Sequence, residues 1–159
     1  MYYIKYFFIF SILGHFIESF FYTNGDGGIL IGYWTPVYGI GAVTILIINN
    51  FIKKKKFKYN KLILFLSSAI ILSTIEVLGG YLIKWIFHKI LWDYSNQMFN
   101  IGKYTSLAIS LVWGICSLIL IYILKPLIDK FINKIPNFII YILLLLFIID
   151  NIATIIIKT

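Results

Sequence analysis

Apolar runs of about twenty residues, the length that crosses a hydrocarbon core, recur through this chain and constrain its fold more than any other feature. They cover 3–22, 30–52, 62–83, 105–124 and 138–157. A soluble domain breaks its apolar sequence into shorter pieces and carries about twice the charged fraction found here, 13%. The expected fold is therefore all-α: a single transmembrane domain over 1–159, built as a polytopic bundle of about five membrane-spanning helices. The run over 3–22 has only Lys5 before its apolar stretch and no small-residue cleavage motif behind it, so it reads as a retained helix rather than a removed leader.

The net charge of +8 comes from lysine alone. The lysines gather between the apolar runs instead of along one face, and no arginine is present to read base edges, so nucleic acid is not an expected partner. Topology accounts for the charge instead. Lys53, Lys54, Lys55 and Lys56, with Lys58 and Lys61, mark the connection after the second run as cytoplasmic by the positive-inside rule. Alternation then puts the amino terminus and the 125–135 connection inside, and the 23–28 loop, the loop around Trp92 and the carboxyl terminus outside. A bacterial plasma membrane is the expected location, since the absence of Arg beside abundant Lys, Ile and Asn is associated with AT-rich bacterial coding sequence. The lysine run is also compatible with binding to anionic lipid. Cys116 lies within an apolar run, so neither a disulfide nor a thiolate cage can form within one chain.

Acidic groups inside these runs are the first candidate functional residues, because an ionisable side chain within a membrane span is costly and by default marks a site. Glu18 follows His15 by three residues, which puts the two on roughly one helix face. Glu76 precedes Gly79 and Gly80, and Asp150 is followed by Asn151. Counted from the inner ends of their runs at 1.5 Å per residue, Glu18, Glu76 and Asp150 sit roughly 18–21 Å from the inner face of a core about 30 Å thick. They are expected to form one layer in the outer half of the bilayer.

Two further stretches approach that half. Between Gly28 and Gly41 the chain carries Gly32, Pro36, Tyr38 and Gly39. Pro36 removes a backbone donor and disfavours helix at Thr35, so the second span is expected to be broken or kinked there, with the glycines allowing close packing. Such breaks are tolerated in membranes where the freed backbone lines a cavity or is buried in protein. The other stretch is Trp92-Asp93-Tyr94-Ser95, followed by Asn100, Gly102, Ser110 and Trp113-Gly114. As a plain connector, Trp92 and Tyr94 would be interfacial anchors and Asp93 a cap. As a lid over the acidic layer, Asp93 would bond to the start of the fourth span or to the 28–41 segment, with Trp92 packed inward. The basic and aromatic stretch from Lys84 to Trp92 is expected to lie in the interface, and the fourth span to end before Pro126.

These residues resemble, over roughly 8–127, the CmpB-type family of small bacterial membrane proteins named "Putative ABC-transporter type IV". Leu13-Gly14 with Glu18 is similar to the family's opening pattern, and 28–41 is similar to its Gly-x-Leu-x-Gly-Pro-x-x-Pro-Ile-Tyr-Gly-x-Gly stretch. Glu76, Trp92-Asp93-Tyr94-Ser95, Ser110-x-x-Trp113-Gly114 and Pro126 follow in the family's order. Tyr33 stands where the family often has Pro, Lys103 where it often has Arg, and Asn100 and Gly102 are one residue closer than usual.

The resemblance implies a permease-like subunit whose polar site comprises Glu18, Glu76, Asp93, Tyr94, Ser95, Asn100, Ser110 and Trp113. No Gly-x-x-x-x-Gly-Lys-Ser/Thr phosphate loop is present, so transport driven by ATP would need a separate ATPase subunit. Besides the bilayer, further copies or other subunits are compatible partners. No cofactor is implied, and His15 with Glu18 is too little for a metal site. A different class of function remains open: an intramembrane enzyme acting on a lipid-linked substrate, with Glu18 or Glu76 as general base and Asp93, Tyr94, Ser95 and Ser110 orienting the headgroup. A third is a non-catalytic assembly subunit whose polar residues only pair across helices. No catalytic constellation is recognisable by spacing, which weighs against the enzyme.

Overall fold

In a computed structural model of the chain, residues 1–21 and 28–159 are described; the 23–28 loop of the sequence reading lies outside them except for Gly28. The described residues are helical apart from connections and one isolated bridge, Ile101 to Thr105. In order, the helices are α1 (Tyr2–Phe21), α2 (Pro36–Lys55), α3 (Asn60–Phe87), α4 (Leu107–Ile119), α5 (Lys125–Ile132) and α6 (Asn137–Lys158). A π-helical turn, Leu120–Leu124, joins α4 to α5 without a gap, making one helical run.

Among the described residues, four helical runs are long and apolar enough to cross a membrane: Pro36–Lys55, Asn60–Phe87, Leu107–Ile132 and Asn137–Lys158. α1 matches them in length but contains Lys5, His15 and Glu18 and falls outside that set. In α6 only 11% of the most apolar window is buried within the chain. The rest of that surface suits lipid, as expected of a helix that is hydrophobic all round. The fold is a helical membrane bundle, and the chain is a membrane protein.

Each boundary has a local cause. The interruption expected at Pro36 takes the form of a helix start: 28–35 is not helical, and α2 begins at Pro36 itself, where the missing N–H and fixed φ suit the first helical position. α3 runs to Phe87, past the expected end at 83, and closes on His88 in the left-handed region (φ 53°), whose N–H bonds to Lys84 O at 3.1 Å. Its 28 residues extend about 42 Å, more than a hydrocarbon core requires, so the Lys84 to Phe87 turn is helical where an interfacial segment was expected.

The fourth span does not end before Pro126. A proline in a helix leaves the carbonyl four residues back without a donor and clashes with it. Here the preceding turn is widened, the Lys125 N–H reaching Leu120 O five residues back, and the helix continues through Pro126 to Ile132.

The chain falls into two compact units. The first comprises Met1–Val43 with Lys130–Thr159, and the second Thr44–Asp129. In the first, Tyr6, Phe8, Ile132 and Ile140 form the buried centre, and the Phe8, Trp34 and Phe147 rings meet at 5.8–6.2 Å. Lys5 is also buried there, its ammonium donating to Ile132 O at 3.2 Å and Ile135 O at 2.8 Å. It thereby adds a donor at the end of α5, where Ile132 O also accepts from the Ile135 N–H at 3.3 Å, and in the connection that follows it. In the second unit α3 packs along α4, with Leu64, Leu72 and Tyr104 buried.

Candidate functional site

In the first unit, α1 brings Glu18 to the stretch that leads into α2. Thr35, buried immediately before Pro36, donates its hydroxyl to Glu18 Oε2 at 3.2 Å, and its own N–H bonds to Ser11 O at 2.9 Å. The Tyr38 hydroxyl faces the same carboxylate, and His15 lies close enough to interact with it electrostatically. Tyr38 can reach it because its ring lies against Gly14, one turn before Glu18, where any Cβ would overlap the ring. His15 and Glu18 therefore act on one face, as their spacing predicts. The His15 ring also meets Tyr33, edge to face at 5.3 Å.

The non-helical segment itself is held by α6. Asp150 accepts from the Gly32 N–H at 3.0 Å and from Trp34 Nε1 at 2.5 Å. One turn on, the fully buried Thr154 accepts from the Ile31 N–H at 3.3 Å, and a further turn on, Lys158 donates to Ile29 O at 2.7 Å. Asp150, Thr154 and Lys158 are spaced four apart, so they form one stripe along the helix. Gly28 starts the segment at φ +119°, a conformation that a side chain would strain.

In the second unit Glu76 projects from α3 among groups of that unit. Trp113 Nε1, on α4, donates to Glu76 Oε2 at 3.1 Å, and the Tyr94 hydroxyl lies against the same carboxylate. Thr105 faces it too; its Oγ1 is buried and makes no hydrogen bond of good geometry with any described residue. One turn on from Glu76 the ring of Tyr104 occupies the space above Gly80, again where a Cβ would overlap. One turn before it, Ser73 and Ser110 share a hydrogen bond of 2.7 Å, and Ser110 also bonds to Ser106 O at 2.9 Å.

Within the loop over 88–106, the stretch from Trp92 to Ser95 places its side chains alternately, as an extended stretch does. Trp92 and Tyr94 turn inward: Trp92 Nε1 donates to Tyr104 O at 3.1 Å and Tyr94 reaches Glu76. Asp93 and Ser95 turn outward and are exposed. The expectation that Asp93 bonds to the start of the fourth span or to 28–41 is thus corrected. It accepts instead from the Ser95 N–H at 2.8 Å and from the Ser95 hydroxyl, and Lys103 lies 3.7 Å away. The Ser95 hydroxyl and N–H, with Lys103 alongside, hold the Asp93 carboxyl below the usual carboxylate range.

Asn100, placed in the polar site by sequence, braces the loop instead, donating to Ser95 O at 2.8 Å and Gln97 O at 3.0 Å. Ser106 caps α4 by accepting from the Ile109 N–H at 3.3 Å and donates to Gln97 Oε1 at 2.5 Å.

The three acids of the expected layer belong to different units. Glu18 and Asp150 meet the same short segment in the first, and Glu76 has its own partners in the second. Among the described residues no lysine pairs with any of the three; the ion pairs are Lys103 with Asp93 and Lys125 with Asp129. Also among the described residues, no three His, Cys, Asp or Glu side chains are grouped to hold a metal ion. Thr35, Thr105, Thr154 and Lys158 were missed as site residues. The four-residue spacing of Asp150, Thr154 and Lys158 in an otherwise apolar helix was the available signal.

The sequence model of the family described as "Putative ABC-transporter type IV" matches residues 5–156, nearly the whole chain. No curated protein and no solved structure matches.

Proposed function

The chain belongs to the ABC-transporter type IV (CmpB-type) family, and from that premise we propose that it is a permease-like subunit of a bacterial plasma membrane, binding a polar solute that carries positive charge or several hydrogen-bond donors. One observation carries this reading. Among the described residues, each unit surrounds a carboxylate on a long helix with hydroxyl and indole groups and pairs it with no lysine, Glu18 beside Thr35 and Tyr38, Glu76 beside Trp113, Tyr94 and Thr105. An acid kept within a span but paired with no lysine supplies negative charge to something that arrives.

In this reading Glu18 and Glu76 are the ligand-binding acids. Tyr94, Ser110 and Trp113 shape the Glu76 site, and Asp93, Ser95 and Asn100 hold the loop that carries Tyr94. Asp150 positions the segment that carries Thr35. The protein acts by binding rather than by catalysis, and the energy comes from a separate ATPase subunit. The amino terminus and the lysine-rich 53–61 connection face the cytoplasm, and the carboxyl terminus faces out.

The test is solute accumulation in cells lacking the chromosomal copy, complemented by wild-type, Glu18→Gln or Glu76→Gln protein at matched abundance. Loss of accumulation of a cationic or donor-rich solute in both variants is expected. Full complementation by both removes the site. Orientation is tested separately on a Cys116→Ala background: Lys55→Cys should resist an impermeant thiol reagent in intact cells, and rapid labelling would overturn the topology.

A further inference from the structure

The second unit carries a basic end that the proposed solute site does not use. The residues over 44–61 and 115–129 supply seven lysines, 53–56, 58, 61 and 125, against one acid, Asp129. That acid is already paired with Lys125 four residues before it. At this end a shallow depression of about 230 Å³ is lined by Lys61, Leu118, Ile119, Tyr122 and Ile123. Lys61 forms one wall of it, its ammonium 5.2 Å from the centre of the exposed Tyr122 ring.

The depression lies where the helix changes pitch. Tyr122 and Ile123 belong to the π-helical turn Leu120–Leu124, and Ile119 precedes it. Such turns occur often at functional sites because the extra residue re-aims side chains. This one leaves Tyr122 and Ile123 outward, 46% and 55% exposed, and Leu120 and Ile121 buried. The result is an apolar floor with one ammonium and one phenol at its rim, beside a run of further lysines.

We propose that this depression is a binding site for one anionic phospholipid of the leaflet that the lysine run faces. Lys61 and the Tyr122 hydroxyl meet the headgroup phosphate, and an acyl chain lies along Leu118, Ile119 and Ile123. Two features select this ligand. The lysines attract an anionic surface, and together they draw acidic lipid to this end of the unit. The apolar floor then distinguishes a lipid from a free anion, which would gain nothing from Leu118, Ile119 or Ile123. The cation–π contact holds Lys61 at the rim before the lipid arrives, so less side-chain freedom is lost on binding.

The experiment is native mass spectrometry of the full chain in detergent, titrated with phosphatidylglycerol and, separately, with phosphatidylcholine. One phosphatidylglycerol should bind at low lipid concentration and no phosphatidylcholine should. Lys61→Gln and Tyr122→Leu should each weaken that first binding about five- to tenfold, while Lys61→Arg keeps it, which separates loss of the site from loss of the fold. Replacing Lys53 to Lys56 by Gln should weaken later, unsaturated binding and leave the first event within about twofold. Glycerol 1-phosphate should not compete. Unchanged affinity in Lys61→Gln, equal binding of phosphatidylcholine, or displacement by glycerol 1-phosphate would each overturn the proposal.

Discussion

The two non-helical stretches, 28–35 in the first unit and 88–106 in the second, meet similar demands by opposite means. Each carries a buried threonine near its end, Thr35 or Thr105, and each brings that hydroxyl to a carboxylate of a long helix. The 28–35 segment is short, and its backbone is held from outside by Asp150, Thr154 and Lys158 of α6. The 88–106 loop is long enough to hold itself, through Asp93 with Ser95, Asn100 with Ser95 and Gln97, Trp92 with Tyr104, and the Ile101–Thr105 bridge. A short irregular segment has few side chains with which to satisfy its backbone groups, so another helix must do it; a longer one includes its own acceptors.

The largest expected effect falls on the segment held from outside. Asp150→Ala leaves the Gly32 N–H and the Trp34 indole without their acceptor, and bonds to a charged group are worth about 1.5–3 kcal/mol each. We expect a loss of about 3 kcal/mol in detergent-denaturant unfolding, and about 1 kcal/mol for Thr154→Val, which removes a single longer bond. If Asp150→Ala unfolds like wild type, the α6 stripe does not hold the segment.

The self-held loop should respond less and more locally. Trp92→Phe keeps the ring but loses the bond to Tyr104 O, and Asn100→Ala loses two exposed bonds. Each should change global stability by about 1 kcal/mol or less while raising amide hydrogen exchange within 92–106. An equal rise throughout the chain would show that the loop does not close on itself.

The smallest effect concerns pH. Because the Asp93 carboxyl titrates below its ordinary value when the loop is formed, the ionised group favours the closed loop above the unfolded-state value, and this contribution fades as pH falls through the lowered one. Protection of the loop amides, taken relative to their intrinsic exchange rates at each pH, should therefore fall in wild type in the acid range below about pH 4, and Asp93→Asn should flatten that fall. The same pH response in Asp93→Asn would assign it to another group.

Much of the arrangement was legible from residue type and spacing. Pro36 marks the start of α2 because proline suits a first helical turn, and Glu18, Glu76 and Trp113 stand out because polar residues are rare in apolar runs. Gly14 and Gly80 lie four residues from Glu18 and Glu76, a spacing that puts glycine and acid on one face, and each glycine receives an aromatic ring. Pro126 misled because the sequence shows a helix breaker but not the wider turn that accommodates it. Asp93 misled because residue type cannot say on which side of an extended loop a carboxylate emerges, and here it emerges on the side away from Glu76 with Ser95.

By itself, then, the sequence determined that this is a helical membrane protein, which apolar runs carry its long helices, and which side chains would be costly to leave unpartnered in them. Those properties depend on the length of apolar runs and on local backbone preference, and both are written residue by residue. Only the tertiary structure decided which donors meet which acid: Thr35 with Glu18, Trp113 with Glu76, and the 28–35 backbone with α6. Such pairs join residues as much as 129 positions apart, from Lys158 to Ile29, and depend on how one helix is rotated against another. A surface of Ile, Leu and Phe packs acceptably in many rotations, so the choice rests on the few polar groups that must find partners where water is absent.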